Sequence, residues 1–223
     1  MKSYAIAFGA IALLFLLIAD AGPASAQVVY NDGPINGTVD AWTITSGFVV
    51  ADSFTVSGGT STLTGLSFGA WLFPGDVMES ADVWITSNAL GGTTYFNQQI
   101  NFTQSGCSGN QYGFNVCTET GSFNGPTLPN GTYWLNLANA VVNTGDPVYW
   151  DENSGVGCNS PGCPSEATCN SCIVKGNLPP QNLPPESFTI YGEPVSSVPE
   201  PSSFLLLGSG ALGLFALARR RLR

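Results

Sequence analysis

Short runs of alternating apolar and polar residues, separated by turn formers, recur from residue 28 to residue 191 and predict a body built of strands. Between Leu66 and Phe73 the alternation is unbroken: Leu66, Phe68, Ala70 and Leu72 point one way, Ser67, Gly69, Trp71 and Phe73 the other. Similar segments lie at 28–30, 42–48, 53–56, 83–86, 94–102, 113–117, 132–137, 148–150 and 187–191. Asn36-Gly37, Gly58-Gly59, Pro74-Gly75-Asp76, Gly91-Gly92, Pro129-Asn130-Gly131 and Gly145-Asp146-Pro147 supply reversals between them. No stretch of the body carries an apolar period near 3.6 over three turns, so helices are not expected there. Roughly ten short strands in one chain of this size predict an all-β fold, an antiparallel β-sandwich or jelly roll. No internal repeat points to a solenoid or propeller.

The ends follow a different pattern. Met1-Lys2 gives a positive start, residues 4–18 are almost wholly apolar, and Ala24-Ser25-Ala26 offers the small residues that signal peptidase needs. Residues 1–26 therefore read as a signal peptide in a helical conformation, with cleavage after Ala26. At the other end a proline-bearing linker, 193–203, leads to an apolar run at 204–218 and then to Arg219, Arg220, Arg221 and Arg223. Fifteen apolar residues make about 22 Å of helix, short of the roughly 30 Å hydrocarbon core unless flanking residues extend it. We expect a marginal transmembrane helix whose basic stop, 219–223, stays in the cytoplasm. The domain between the ends is 27–192.

Charge narrows the partners. From 27 to 197 the chain holds thirteen acidic residues against Lys175 alone, a net charge near −12. Such a field repels phosphate backbones and offers nothing to neutralise them, which excludes nucleic acid. Divalent cations and neutral polymers remain as partners.

All six cysteines, Cys107, Cys117, Cys158, Cys163, Cys169 and Cys172, fall in the exported region, where an even count predicts three disulfides. Cys107 and Cys117 bracket one loop and are expected to pair. The other four sit in a Cys- and Pro-rich stretch, 155–185, that reads as a loop insertion before the last strand. A four-thiolate zinc site is the alternative for those four.

The chain contains no histidine, which removes Ser-His-Asp, Cys-His and His-zinc chemistry. We expect no enzyme. The catalytic alternative is a pair of carboxylates cleaving a polysaccharide. Asp151 and Glu152 face opposite ways on a strand, so one of them would need Asp146, Asp76 or Glu79 from another loop. Asp146, Asp151, Glu152 and Asn153 read first as a solvated acidic turn, and second as oxygen ligands for calcium, which would make the chain a calcium-dependent adhesin. Trp71, Trp84 and Trp134 lie on different strands. Each tryptophan reads first as core packing and second as a sugar-binding ring: if Tyr133, Leu135 and Leu137 face the core, Trp134 faces outward and can stack on a sugar ring.

Val198-Pro199-Glu200-Pro201, the apolar run and the terminal arginines together resemble the PEP-CTERM sorting signal of exported proteins of Gram-negative bacteria. The tail is also described as an ice-binding protein C-terminal domain, a label that concerns the anchor. The resemblance implies recognition by an exosortase, with cutting near Pro-Glu-Pro, and a setting of exopolysaccharide production. Val29-Tyr30-Asn31-Asp32-Gly33-Pro34, Asp52-Ser53-Phe54, Gly131-Thr132-Tyr133-Trp134-Leu135 and Tyr149-Trp150-Asp151-Glu152-Asn153-Ser154-Gly155 are similar to recurrent stretches of uncharacterised exported domains bearing this tail. They bring no known activity. The expected role is a structural or polysaccharide-binding component of the surface or extracellular matrix.

Overall fold

The computed structural model describes residues 26–153, 165–172 and 176–195. Over these the chain forms fourteen strands: β1 (Gln27–Asn31), β2 (Ala41–Thr43), β3 (Phe48–Val56), β4 (Ser61–Leu72), β5 (Met78–Asn88), β6 (Gly91–Asn101), β7 (Thr103–Gly109), β8 (Asn115–Ser122), β9 (Thr127–Leu128), β10 (Gly131–Val142), β11 (Tyr149–Asp151), β12 (Ser165–Cys172), β13 (Gly176–Leu183) and β14 (Phe188–Pro194). They make two antiparallel sheets. One has six strands in the order β13-β12-β3-β10-β5-β6; the other has eight, with β1-β14-β4-β11-β2 as its path and β7, β8 and β9 attached at the second edge of β4. The fold is an all-β, two-sheet sandwich. The expected flanking helices at 1–26 and 204–218 lie outside the described residues.

The core is the space between the sheets, filled by the apolar parity of each strand. On β4, Leu66, Phe68, Ala70 and Leu72 are buried in it, as the alternation requires. Leu63 joins them because pairing with β14 skips Thr64, and this bulge reverses the parity. On β10, Tyr133, Leu135 and Leu137 face inward. Asn139, at a positive φ of 49°, then breaks the register so that Ala140 and Val142 face inward next.

Within 155–185, where sequence reading places only a loop, β12 and β13 extend the six-stranded sheet beyond β3. The alternation is present but built from small residues: Ser165, Ala167 and Cys169 are all buried. The prolines of β13 are tolerated because an edge strand needs few of its own N–H groups.

Candidate functional site

The outer face of the six-stranded sheet carries a shallow depression of about 240 Å³, lined by Val49, Trp84, Thr86, Thr94, Asn97 and Asn136 among others. Trp84 on β5 lies opposite Asn97 of β6 and Asn136 of β10, while Trp134 lies opposite Thr86 and Ser53. The two indoles therefore occupy diagonal positions on neighbouring strands, within reach of each other's long side chains. Both are half-buried, and Thr94 and Asn97 are exposed. Asn136 is buried and committed: its Oδ1 accepts the Leu90 N–H at 3.0 Å and its Nδ2 donates to Thr86 Oγ1 at 2.9 Å. It ties the β5–β6 hairpin tip to the floor. Trp71 is different, for its indole lies under Tyr112, stacked with ring centres 5.4 Å apart, and its N–H is spent on Asp151. A second depression of about 320 Å³ beside it is lined by Val39, Asp40, Trp71, Tyr112 and Phe114.

The stretch expected to be a solvated acidic turn is solvated only at Asp146. Asp151, Glu152 and Asn153 are buried, with exposures of 0 %, 3 % and 0 %, because β11 is threaded between β4 and β2 inside the sheet. Asp151 faces away from the core and receives four donors: the amides of Asn36 and Gly37, the Trp71 indole N–H at 2.6 Å and the Ser187 hydroxyl. It clasps the loop after β1 to the sheet. Burial pushes its carboxyl up against those four lowering hydrogen bonds. Gly37 makes the approach possible: its φ is 65°, and a Cβ there would meet Val116 Cγ2 at 2.5 Å.

Glu152 takes the opposite face and meets three acids that sequence reading did not single out as a site. Asp32 follows β1, Asp52 lies on β3 and Glu186 precedes β14; each is 0 % exposed. Glu152 and Glu186 stand directly across an antiparallel bridge. Asp52 Oδ2 accepts the Glu186 amide at 2.6 Å, and its Oδ1 accepts that of Ser53. The Asp32 and Asp52 carboxyls repel each other, and Tyr30 donates to Asp32 Oδ1. Neither oxygen of Glu186 has a partner, nor does Asp32 Oδ2. Asn153 donates to the backbone carbonyls of Asp32 and Glu186, closing the group. Burial is the first cause in every case: it raises Asp32 to about 6 and Glu152 to about 7, and lifts Asp52 and Glu186 well above the usual carboxyl range, with repulsion adding from Asp32 on Asp52, from Asp40 and Asp151 on Glu152, and from Glu152, Asp52, Asp151 and Asp32 on Glu186.

The signal for this cluster was parity. Tyr30-x-Asp32, Asp52-x-Phe54, Trp150-x-Glu152 and Glu186-x-Phe188 each put an acid two residues from a core aromatic, hence on the same face. The aromatics also meet one another, Tyr30 with Phe54 and Phe188, Trp150 with Phe188.

Cys107 and Cys117 are bonded to each other as expected, and Cys169 is disulfide-bonded too, which removes one thiolate from the zinc alternative. Cys158, Cys163 and the side chain of Cys172 lie outside the described residues, as do Ala24, Val198, Pro199, Glu200, Pro201 and the terminal arginines. Among the described residues no helix is long and apolar enough to cross a membrane.

Fold and site thus define an exported-type, disulfide-bonded β-sandwich with an aromatic surface depression and a buried acidic cluster. Residues 197–221 match the PEP-CTERM protein-sorting motif, so the chain carries an exosortase sorting signal and is directed to export and the cell surface or beyond. No curated protein and no solved structure matches the chain.

Proposed function

We propose that the domain is a non-catalytic binder of neutral polysaccharide in the surface matrix, using the depression lined by Trp84 together with the neighbouring Trp134, which lies outside that lining on the same sheet face. The observation that carries this reading is the pairing of two half-buried indoles with the exposed Asn97 and Thr94 on one open sheet face. An indole offers an apolar face to a sugar ring, and the amide and hydroxyl offer partners to its edge. At about 240 Å³ the depression is smaller than the 300–1,000 Å³ typical of sites that engulf a free small molecule, so it suits one unit of an extended polymer. The acidic domain would repel anionic glycans, which favours neutral ones.

The tail supplies the route. Signal peptidase cuts after Ala26, the apolar run 204–218 holds the chain briefly in the inner membrane, and exosortase cuts near Pro199-Glu200-Pro201. The test is glycan-array and calorimetric binding with neutral exopolysaccharides. Trp84→Ala and Trp134→Ala should each weaken binding at least about tenfold without lowering the melting temperature by more than a few degrees. Undiminished binding in the double variant would refute the site. Release of reducing ends, abolished by Asp151→Asn or Glu152→Gln, would replace binding by carboxylate-dependent cleavage.

A further inference from the structure

We infer that Asp32, Asp52, Glu152 and Glu186 form a calcium site between the two sheets, independent of the glycan-binding face. Four separate segments deliver these carboxyls to one end of the core: the end of β1, β3, the residue after β11, and the approach to β14. Each has 3 % exposure or less, and no basic residue is among the described residues, since Lys2, Lys175 and all four arginines lie elsewhere in the chain. Asp52 is flanked across the sheet by Leu135 and Ser165, which bring no charge.

Burying even one ionised carboxylate without a partner costs several kcal/mol after relaxation, and like charges directly opposite on a ladder add to it. Glu152 and Glu186 are such a pair. Glu186 is the independent indicator of a ligand: it is fully buried, neither carboxyl oxygen has a partner, and it feels the charges of Glu152, Asp52, Asp151 and Asp32 at once. Asp32 Oδ2, also unpartnered and buried, belongs to the same group. A fold that only needed to fill this space would use apolar side chains, as it does two residues away in each strand.

Ligand type selects the ion. The set is all oxygen, with neither sulfur nor imidazole, which disfavours zinc. Of the carboxyl oxygens here, Asp32 Oδ2 and both of Glu186 have no partner, and the others can add a second interaction to reach the six to eight oxygens that calcium accepts in flexible geometry; magnesium demands a strict octahedron and retains its waters. One Ca²⁺ offsets half of the charge, and the Tyr30 hydroxyl and the Ser53 and Glu186 amides already donate to the remainder. Among the described residues no three acidic side chains already stand as a metal-holding group, so the proposed site requires the carboxyls to turn toward a common point when the ion binds. Asp151 is not a ligand, because four donors occupy it from the opposite face. By joining the ends of β1, β11 and β14 to β3, the ion bridges both sheets.

The test uses the full-length protein with its disulfides intact, stripped with EGTA and titrated with CaCl₂. Equilibrium dialysis with radioactive calcium should find one ion per chain at this site, lost in Glu186→Gln and weakened at least about tenfold in Asp52→Asn. A hundredfold excess over Kd should raise the melting temperature by about 5–10 °C. Glu119→Gln, which removes a buried acid outside the cluster, should leave both responses in place. No bound calcium in the wild-type protein, or calcium binding unchanged in Glu186→Gln and Asp52→Asn, would overturn the site.

Discussion

Replacing Glu119 by glutamine should stabilise the domain at pH 8 and do nothing at pH 4. Glu119 sits on β8 between Cys117 and Gly121, on the strand face that carries Cys117 into the core, and it is fully buried. Its cross-strand neighbours are Phe68 and Gln104, and neither carboxyl oxygen has a hydrogen-bond partner. Burial alone raises its pKa from 4.5 to about 7. A raised carboxyl pKa means the folded state keeps its proton after the unfolded state has lost it. The penalty is therefore absent below about pH 4.5, grows between 4.5 and 7, and is constant above. At ~1.36 kcal/mol per pH unit, that interval corresponds to about 3 kcal/mol as an upper figure. Glutamine keeps the shape and lacks the charge, and like the protonated acid it leaves a neutral polar group in place. Urea unfolding of wild type and variant should thus show midpoints that coincide at pH 4 and separate by about 1–3 kcal/mol at pH 8, with the m-value unchanged. Equal separation at both pH values would mean the gain comes from packing. No separation at pH 8 would mean the carboxylate finds solvation that the fold does not provide.

Two further perturbations probe the frame around the sites. Gly69→Ala on β4 should lower stability by about 1–3 kcal/mol in thermal unfolding, because the added Cβ would meet Ser187 Oγ at 2.6 Å and Asp151 Cβ at 2.8 Å in the clasp. The double change Cys107→Ser and Cys117→Ser opens a loop with a sequence separation of 10 and should cost about 2–3 kcal/mol in denaturant unfolding, with glycan binding intact.

The strands were legible where large apolar residues alternate, as on β4 and in the Tyr133–Leu137 half of β10, since a half-buried sheet imposes that period directly. They were not legible where the period breaks or the residues are small. The bulges at Thr64 and Asn139 move Leu63, Ala140 and Val142 inward against simple alternation. Strand β12 hides its inward side in Ser165, Ala167 and Cys169, and β13 carries Pro179 and Pro180.

The outward position of Trp134 followed from the Tyr133 face, but Trp71 needed the loop bearing Tyr112 and Phe114 before its burial could be seen. Of the acidic positions, Asp151 and Glu152 stood out because they are adjacent. Asp32, Asp52 and Glu186 each resemble an ordinary polar residue at a strand end or turn when taken alone. Only the pairing of β1 with β14, and of Glu152 with Glu186, brings them to one place. Their shared spacing from an aromatic was visible, yet its meaning depends on contacts distant in sequence.

The most direct test of the buried acidic cluster is a crystal structure of the protein grown in millimolar calcium, with anomalous differences measured on the calcium signal. One peak is predicted among Asp32, Asp52, Glu152 and Glu186, with carboxylate oxygens about 2.3–2.6 Å away and the Glu186 carboxyl turned onto it. No peak there, with the four carboxyls still arranged around one another, would contradict the account.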